Sequence, residues 1–349
     1  MSRFNFPFLL FSIFAFSVLA ACSADRNSGN SVNVVEASNP PITVYSSRAE
    51  HLIQPLFTAF TEQTGIPVRY ITDTEAALIA RLQSEGSSSP ADILLTVDAG
   101  NLWYASELGL LQPLASAVLA ANIPSQYRAP DNTWFGLSLR ARTIVYSTER
   151  VDIAELSSYE ALADQEWAGR LCLRTAKKVY NQSLVASMLA RHGEAQTQSI
   201  VEGWIDNLAI DPLSSDNRAI EAVEAGICDV ALVNTYYFGR MQADNADIPV
   251  NIFWPNQNTS GVHLNVSGAG IVQHAPQLER AIELLEWLSG AEAQEVFAGI
   301  NLEFPVNSGV AIDPLVAAWG DFRGDDIEVN TFGALQSDAV LLMDRAGYR

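Results

Sequence analysis

Two adjacent tyrosines, Tyr236 and Tyr237, follow the apolar run 230–233, and a third, Tyr180, follows the short strand-like segment 170–174. Both segments predict buried strands, and ligands of open α/β sheets bind where such strands end. A free phenol has a pKa of about 10, so only a strongly polarising cation makes phenolate a useful ligand at neutral pH. The three tyrosines therefore predict a site for a hard, highly charged ion such as Fe(III). The alternative is that their rings pack in the core or stack on an organic ligand.

The elements that must position these tyrosines form an α/β pattern. From residue 41 onward the chain alternates strand-like and helix-like stretches, which indicates lobes with mostly parallel sheets and flanking helices. The long extended segment 134–146 is predicted to pass from one lobe to the other, and segment 265–272 to return. The ligand cleft is expected between the lobes, which a hinge would close. The predicted lobes are an N-terminal one of residues 41–137 and 265–317, and a C-terminal one of residues 138–264 and 318–349.

The first forty residues predict an export signal and a tether. Arg3 precedes an apolar stretch, and the small residues before Cys22 are typical of a cleavage site. Residues 1–21 are therefore interpreted as a lipoprotein signal peptide, with Cys22 as the lipidated first residue of the mature chain. Residues 22–40 are small and polar, as in a flexible linker. We expect a periplasmic protein that is anchored to a membrane through Cys22 and does not span it.

The net charge and the cysteines limit which partners and which covalent links the chain is expected to have. The formal net charge of −20 argues against nucleic acid and acidic membrane surfaces as partners. Of the three cysteines, Cys172 and Cys228 remain once Cys22 is assigned to lipid. In an oxidising compartment they either form a disulfide between neighbouring strands or stay as two buried thiols. An enzyme is not indicated, because the chain contains no G-x-S-x-G, H-E-x-x-H, G-x-x-x-x-G-K or CxxC pattern.

Six short segments, spread over nearly the whole mature chain, occur in an order that points to a known family. They are 41–48 (PITVYSSR), 89–92 (SPAD), 179–183 (VYNQS), 234–240 (NTYYFGR), 266–270 (VSGAG) and 304–306 (FPV). Together they resemble the periplasmic ferric-iron-binding components of ABC importers, of the ferric-binding and cyanobacterial iron-uptake type. The resemblance implies a two-lobed, type II-like periplasmic binding protein with a transferrin-like phenolate site and no enzymatic activity. It also implies Fe(III) as ligand, an ABC-type permease as partner and a monomeric state.

By position, Tyr236 and Tyr237 match the paired tyrosine ligands of that family, and Tyr180 matches the third tyrosine of its tyrosine-rich branch. One departure concerns the N-terminal lobe, where many members place a histidine or a His-Tyr pair after the first strand. This chain has Ala49 and Glu50 there, with His51 one position further on. The Glu50 carboxylate is a candidate iron ligand, or else a solvated residue in the first turn of a helix. His51 would coordinate only if its helix tilted inward.

With no histidine at the usual place, the iron shell is expected to be completed by an anion such as carbonate, or by water. Arg48 and Arg142 are the candidates to hold that anion, or each forms an ion pair with a carboxylate. Arg240 is expected to pair with a carboxylate, while Asn234 and Gln182 are candidates to orient the phenolates. The competing hypothesis keeps the two-lobed binding protein but assigns it an organic anion or a polyamine, with the tyrosines stacking on that ligand.

Overall fold

A computed structural model of the chain describes residues 40–349. The predicted signal peptide, Cys22 and almost all of the predicted tether lie outside these residues. The described strands form a mixed sheet with the order β2-β1-β3-β8-β4-β6-β5, in which β7 and β9 also pair with β4. The strands are β1 (Ile42–Ser46), β2 (Val68–Thr72), β3 (Ile93–Thr96), β4 (Phe135–Ser147), β5 (Leu171–Cys172), β6 (Val230–Asn234), β7 (Val250–Phe253), β8 (Leu264–Ile271) and β9 (Phe304–Pro305).

The strand directions correct one expectation, because the sheet is mixed and not mostly parallel. Parallel ladders join β1 to β2, β1 to β3 and β5 to β6. The ladders β3–β8, β4–β8, β4–β9, β4–β6 and β4–β7 are antiparallel. The reason is that β4 and β8, which run through the middle of the sheet in opposite senses, form only antiparallel ladders with their described neighbours.

Strand β4 is the element that connects the halves, and all of its residues are buried. Its residues from Phe135 to Ala141 pair with β8, and those from Arg142 to Tyr146 pair with β6. We use "N-terminal lobe" for β1–β3, β8, β9 and the first part of β4, and "C-terminal lobe" for β5–β7 and the rest of β4. The hydrogen-bonding partner changes between Ala141 and Arg142, a few residues after the boundary predicted at 137/138.

Helices cover the sheet, and α1 illustrates why they form. Its residues Ile53, Leu56, Phe57 and Phe60 recur at helical spacing and are the ones it buries. The helix ends at Gly65, whose left-handed φ of 71° suits a residue without a side chain. The described helices are α1 (Glu50–Thr64), α2 (Glu75–Glu85), α3 (Ala99–Glu107), α4 (Ala117–Asn122), α5 (Val179–Asp206), α6 (Asp216–Glu224), α7 (Thr235–Asp244), α8 (Leu278–Ser289), α9 (Ala291–Gly299), α10 (Pro314–Ala317) and α11 (Val329–Arg345).

Helices α5 and α11 have features that bear on the site. Helix α5 leaves helical geometry at Gly193, whose φ is 74°. Helix α11 packs against both α5 and α3, so it contacts elements of both lobes. None of the helices between residues 40 and 349 combines the length and the apolar character that a membrane crossing needs.

Candidate metal centre

The paired tyrosines lie where a buried strand turns directly into a helix. Strand β6 is buried throughout and ends at Asn234, and α7 begins at the next residue. Tyr236 and Tyr237 are therefore in the first turn of α7, while Tyr180 is the second residue of α5. The N-terminus of a helix carries a partial positive charge and free N–H groups, which stabilise nearby negative charge. All three tyrosines thus lie in the first turn of a helix.

The structure brings the tyrosines together. The hydroxyl oxygens of Tyr180 and Tyr236 are 3.3 Å apart, close enough for both to bind one ion. The rings of Tyr236 and Tyr237 pack with their centroids 4.1 Å apart. The Tyr237 hydroxyl accepts a hydrogen bond of 3.4 Å from Nη1 of Arg174. Tyr180 and Tyr236 are buried, whereas Tyr237 is half-buried.

The N-terminal lobe covers these tyrosines through the segment that follows β3. Val97 packs with Val179 and Tyr180 in a small apolar cluster, against which Tyr237 also packs. The carbonyl oxygen of Val97 accepts a hydrogen bond from Nη2 of Arg140 on β4. The tyrosine cluster is therefore enclosed where the two lobes meet.

Four cationic side chains surround the tyrosine rings. The guanidinium carbon of Arg140 lies 5.5 Å from the ring centre of Tyr180 and 6.0 Å from that of Tyr236. Arg240 lies 4.9 Å from the Tyr236 ring, so it stacks on the phenol and does not form the carboxylate pair that the sequence predicted. The two remaining cations lie over the Tyr180 ring, Lys178 at 4.8 Å and Arg174 at 5.9 Å.

Burial keeps the phenols protonated in the absence of a cation. Loss of hydration raises the pKa of Tyr180 to about 12, although Arg140 acts in the opposite direction. The pKa of Tyr236 is raised well above its usual value by burial and by the neighbouring phenols Tyr180 and Tyr237. A metal ion that binds here must therefore displace hydroxyl protons, and acid will oppose its binding.

Arg48 has a structural role in place of the predicted anion-binding role. Its side chain is 1% exposed, and its Nη2 lies 2.7 Å from Oε1 of Glu303. Nη1 donates to the hydroxyl of Ser267 at 2.8 Å and to that of Ser138 at 3.3 Å. A buried guanidinium needs a carboxylate and hydrogen-bond acceptors around it, and these partners occupy its terminal nitrogens. Glu303 lies 255 residues further along the chain, so local sequence could not reveal the pair.

Arg142 and Asn234 also have structural roles that differ from the predicted anion-binding and phenolate-orienting roles. Arg142 is fully buried, and its guanidinium contacts Asp216 at 2.9 Å and Asn181 at 2.6 Å. Asn234 offers its Oδ1 to Nη1 of Arg142 at 3.3 Å and so orients this arginine in place of a phenolate. Gln182, the other predicted orienting residue, donates to the carbonyl oxygen of Ala176 at 3.1 Å. These hydrogen bonds hold the start of α5 and the end of β6, the elements next to the tyrosines.

Glu50 is exposed at the start of α1, and its carboxylate accepts a hydrogen bond of 2.9 Å from the hydroxyl of Tyr70. His51 is exposed beside it. Glu50 would have to give up the contact with Tyr70 to coordinate an ion in the cleft. It stays a predicted ligand.

Cys172 and Cys228 form a disulfide. Cys172 ends β5, and Cys228 lies just before β6. The two strands pair in parallel, so the disulfide links the bases of the segments that lead to Arg174 and to Tyr236. The disulfide thus belongs to the frame that holds the site.

Sequence reasoning missed Arg140, Arg174 and Lys178. The sequence held a hint for two of these residues. Arg140 precedes Arg142 by two positions in a predicted strand, and Lys178 lies two residues before Tyr180. Arg174 lies two residues after the end of β5, where side chains reach the edge of the sheet. Among residues 40–349, no group of three or more His, Cys, Asp and Glu side chains is arranged to hold a metal ion. The phenols of Tyr180 and Tyr236 are oxygen donors that the structure brings together here.

The fold and the tyrosine cluster define a class of protein, the extracellular binding proteins of bacterial importers. The family described as bacterial extracellular solute-binding protein matches residues 88–318, and the chain belongs to this family. Iron uptake protein A2 of Synechocystis is 44% identical over 321 residues, which cover 90% of this chain and 91% of that protein. The predicted resemblance is therefore confirmed.

Two solved structures support the fold. A Trichodesmium protein described as IdiA or FutA in complex with iron and citrate ligands superposes with a TM-score of 0.83 at 42% identity, covering 89% of this chain and 100% of that one. The ferric binding protein from Campylobacter jejuni gives a TM-score of 0.85 at 33% identity, covering 88% of this chain and 100% of that one. These likenesses confirm the two-lobed α/β architecture.

Proposed function

We propose that this protein captures Fe(III) outside the cytoplasm through the phenolates of Tyr180, Tyr236 and Tyr237 and delivers it to an ABC-type permease. The observation that carries the proposal is the 3.3 Å separation of the Tyr180 and Tyr236 oxygens in a site surrounded by four cationic side chains. Three phenolates neutralise the three charges of the ion, which offsets much of the cost of burying it. The relatives named for iron uptake and ferric binding support this assignment.

Binding and closure follow from the arrangement of the lobes. The ion displaces the hydroxyl protons of tyrosines on the C-terminal lobe, and the segment around Val97 then covers them from the N-terminal lobe. We propose Glu50 as an additional oxygen ligand after it leaves Tyr70. An anion such as carbonate would be held by the half-buried cations Lys178 and Arg240, because Arg48, Arg142 and Arg174 are each paired with a carboxylate.

The export part of the proposal rests on residues outside the described structure. Residues 1–21 would direct secretion, and a lipid on Cys22 would hold the monomeric protein at a membrane facing the periplasm. Intact-mass analysis of the membrane-extracted protein tests this directly. A mature chain that begins elsewhere, or whose first cysteine carries no lipid, would contradict the anchor without affecting the iron site.

A visible spectrum tests the metal assignment. Iron-free protein is loaded with ferric citrate, excess iron is removed, and the phenolate-to-iron charge-transfer band is recorded for wild type and Tyr236→Phe. Wild type should show the band, and the variant should lose most of it together with tight binding. Tyr104→Phe is the control, because Tyr104 is 49% exposed on α3. A band that is unchanged in Tyr236→Phe would refute the site, and a wild type with no band would favour an organic ligand.

A further inference from the structure

The C-terminal tail packs against the loop that leads into the tyrosine site. Helix α11 ends at Arg345, and Gly347 then adopts a left-handed φ of 76° that turns the chain inward. Tyr348 is only 2% exposed, and its hydroxyl donates to the carbonyl oxygen of Arg174 at 2.5 Å. The carbonyl of the last residue, Arg349, accepts a hydrogen bond of 3.1 Å from the backbone N–H of Ala176. The tail therefore holds this loop by one side-chain and one main-chain hydrogen bond.

The same loop is held from α5 on its other side. Nδ2 of Asn181 donates to the carbonyl oxygens of Arg174 and Thr175 at 3.0 and 3.1 Å. Gln182 holds the next carbonyl, that of Ala176, at 3.1 Å. Short loops with so many fixed carbonyls have little conformational freedom, so the Arg174 backbone is held between the tail and the first turn of α5.

The side chain of Arg174 transmits this fixed position to the site. Its Nη1 bonds to Asp216 at 3.1 Å and to the Tyr237 hydroxyl at 3.4 Å. Its guanidinium also lies 5.9 Å from the Tyr180 ring centre. A cation at this place stabilises the negative charge of a phenolate, and the strength of that effect depends on the distance.

We propose that Tyr348 is a positioning residue of the tyrosine centre, because its hydroxyl fixes the Arg174 backbone and thereby keeps the Arg174 guanidinium on the Tyr237 phenolate. The inference rests on the proposed iron-binding function and deepens it. It assigns a role in ligand binding to the segment after α11, which follows Tyr237 by more than a hundred positions. Tyr348 itself does not touch the ion.

The expected effect has a spectroscopic signature. A cation near a phenolate lowers the energy of its electrons, so the transition from phenolate to iron requires more energy. If the Arg174 loop loosens, Tyr237 loses part of this stabilisation and the charge-transfer band moves to longer wavelength. Iron should also leave faster, by up to about fivefold if the hydrogen bond from Arg174 to Tyr237 is lost.

The experiment compares ferric-loaded wild type, Tyr348→Phe, Arg174→Gln and Tyr45→Phe. Band position and the rate of iron transfer to a strong chelator are measured for each. Tyr45→Phe is the matched control, because Tyr45 is also buried and its hydroxyl bonds to Glu85 at 2.9 Å, in the N-terminal lobe. The inference expects a shift to longer wavelength and faster release in Tyr348→Phe, a larger shift in Arg174→Gln, and neither change in Tyr45→Phe.

The outcomes separate the inference from the function on which it rests. A wild type without any band contradicts the iron site itself. A wild type with the band, together with a folded Tyr348→Phe variant of identical band and release rate, overturns the positioning role alone. Should Tyr348→Phe not fold, a chain that ends at Gly347 decides the question, since it lacks the Tyr348 hydroxyl and leaves the Arg174 carbonyl oxygen open to water. An unmoved band in that chain would also overturn the inference.

Discussion

The buried carboxylate of Glu303 should be one of the most costly charges to remove from this protein. Glu303 accepts from Arg48 at 2.7 and 3.2 Å, and Nη1 of Arg140 lies 4.0 Å from its Oε1. All three side chains are 1–2% exposed. Burial raises the pKa of Glu303 and the two guanidinium groups lower it, with a net decrease, so the group stays ionised at neutral pH.

The substitution Glu303→Gln keeps the shape of the side chain and removes its charge. Two guanidinium groups would then share a buried site without a counter-charge, and the new amide N–H would face N–H donors. Breaking a buried ion pair in this way costs about 3–5 kcal/mol. Double replacement with Arg48→Met removes one of the uncompensated charges, so we expect it to recover about half of the loss.

Urea unfolding of the iron-free protein measures these differences by tryptophan fluorescence, because Trp134, Trp167 and Trp204 are buried and report loss of the core. Glu221→Gln is the control, since its pair with Arg218 is exposed on both sides. Such surface pairs contribute about 0–1 kcal/mol. If Glu303→Gln cost no more than the control, the buried charges would not depend on this carboxylate and the reasoning would fail.

Three further results follow from the structure. Burial raises the pKa of Asp98 to about 6. Because the folded state then binds the proton more tightly than the unfolded state, the contribution of Asp98 to the free energy of unfolding should fall as pH rises from 4 to 6. Parallel urea titrations should therefore show Asp98→Asn gaining up to about 3 kcal/mol relative to wild type over that interval. Replacing Cys172 and Cys228 by alanine opens a loop closed at a sequence separation of 56, and should lower the free energy of unfolding by about 4 kcal/mol. An equal stability of the oxidised wild type and the double variant would contradict this. Because each of the three proposed phenolate ligands must lose its hydroxyl proton, the logarithm of the iron affinity should rise by about three per pH unit between pH 5 and 7, measured against a chelator of known protonation. A pH-independent affinity would mean that the phenols do not bind the ion.

Local patterns in the sequence were sufficient to predict the elements that carry the tyrosines. The apolar run of β6 and its direct continuation into Tyr236 depend only on neighbouring residues, and so does the helical spacing that places Tyr180 at the start of α5. The mixed direction of the sheet was not predictable in this way. Pairing of β4 with β8 depends on contacts more than a hundred residues apart, about which hydrophobic periodicity carries no information.

The roles of the arginines in the site were also not predictable from local sequence. Each carries the same charge on the same side chain, so the sequence left both Arg48 and Arg142 as candidates for binding an anion or for an ion pair with a carboxylate. The structure separates them by what fills their surroundings, since Arg48 meets Glu303 and Arg142 meets Asp216. Cations without such a dedicated carboxylate, Lys178 and Arg240, lie over the tyrosine rings.

Strand β4 explains why two arginines two positions apart have different partners. Alternate residues of a strand point to the same face, so Arg140 and Arg142 both point toward the tyrosine-bearing helices. The change of pairing partner between Ala141 and Arg142 places Arg140 beside Glu303 of the N-terminal lobe and Arg142 beside Asp216 of the C-terminal lobe. Each lobe therefore contributes one carboxylate that anchors the crossing strand. With the strand held by these two carboxylates, the guanidinium of Arg140 lies over the phenols. The position of this charge therefore depends on both lobes.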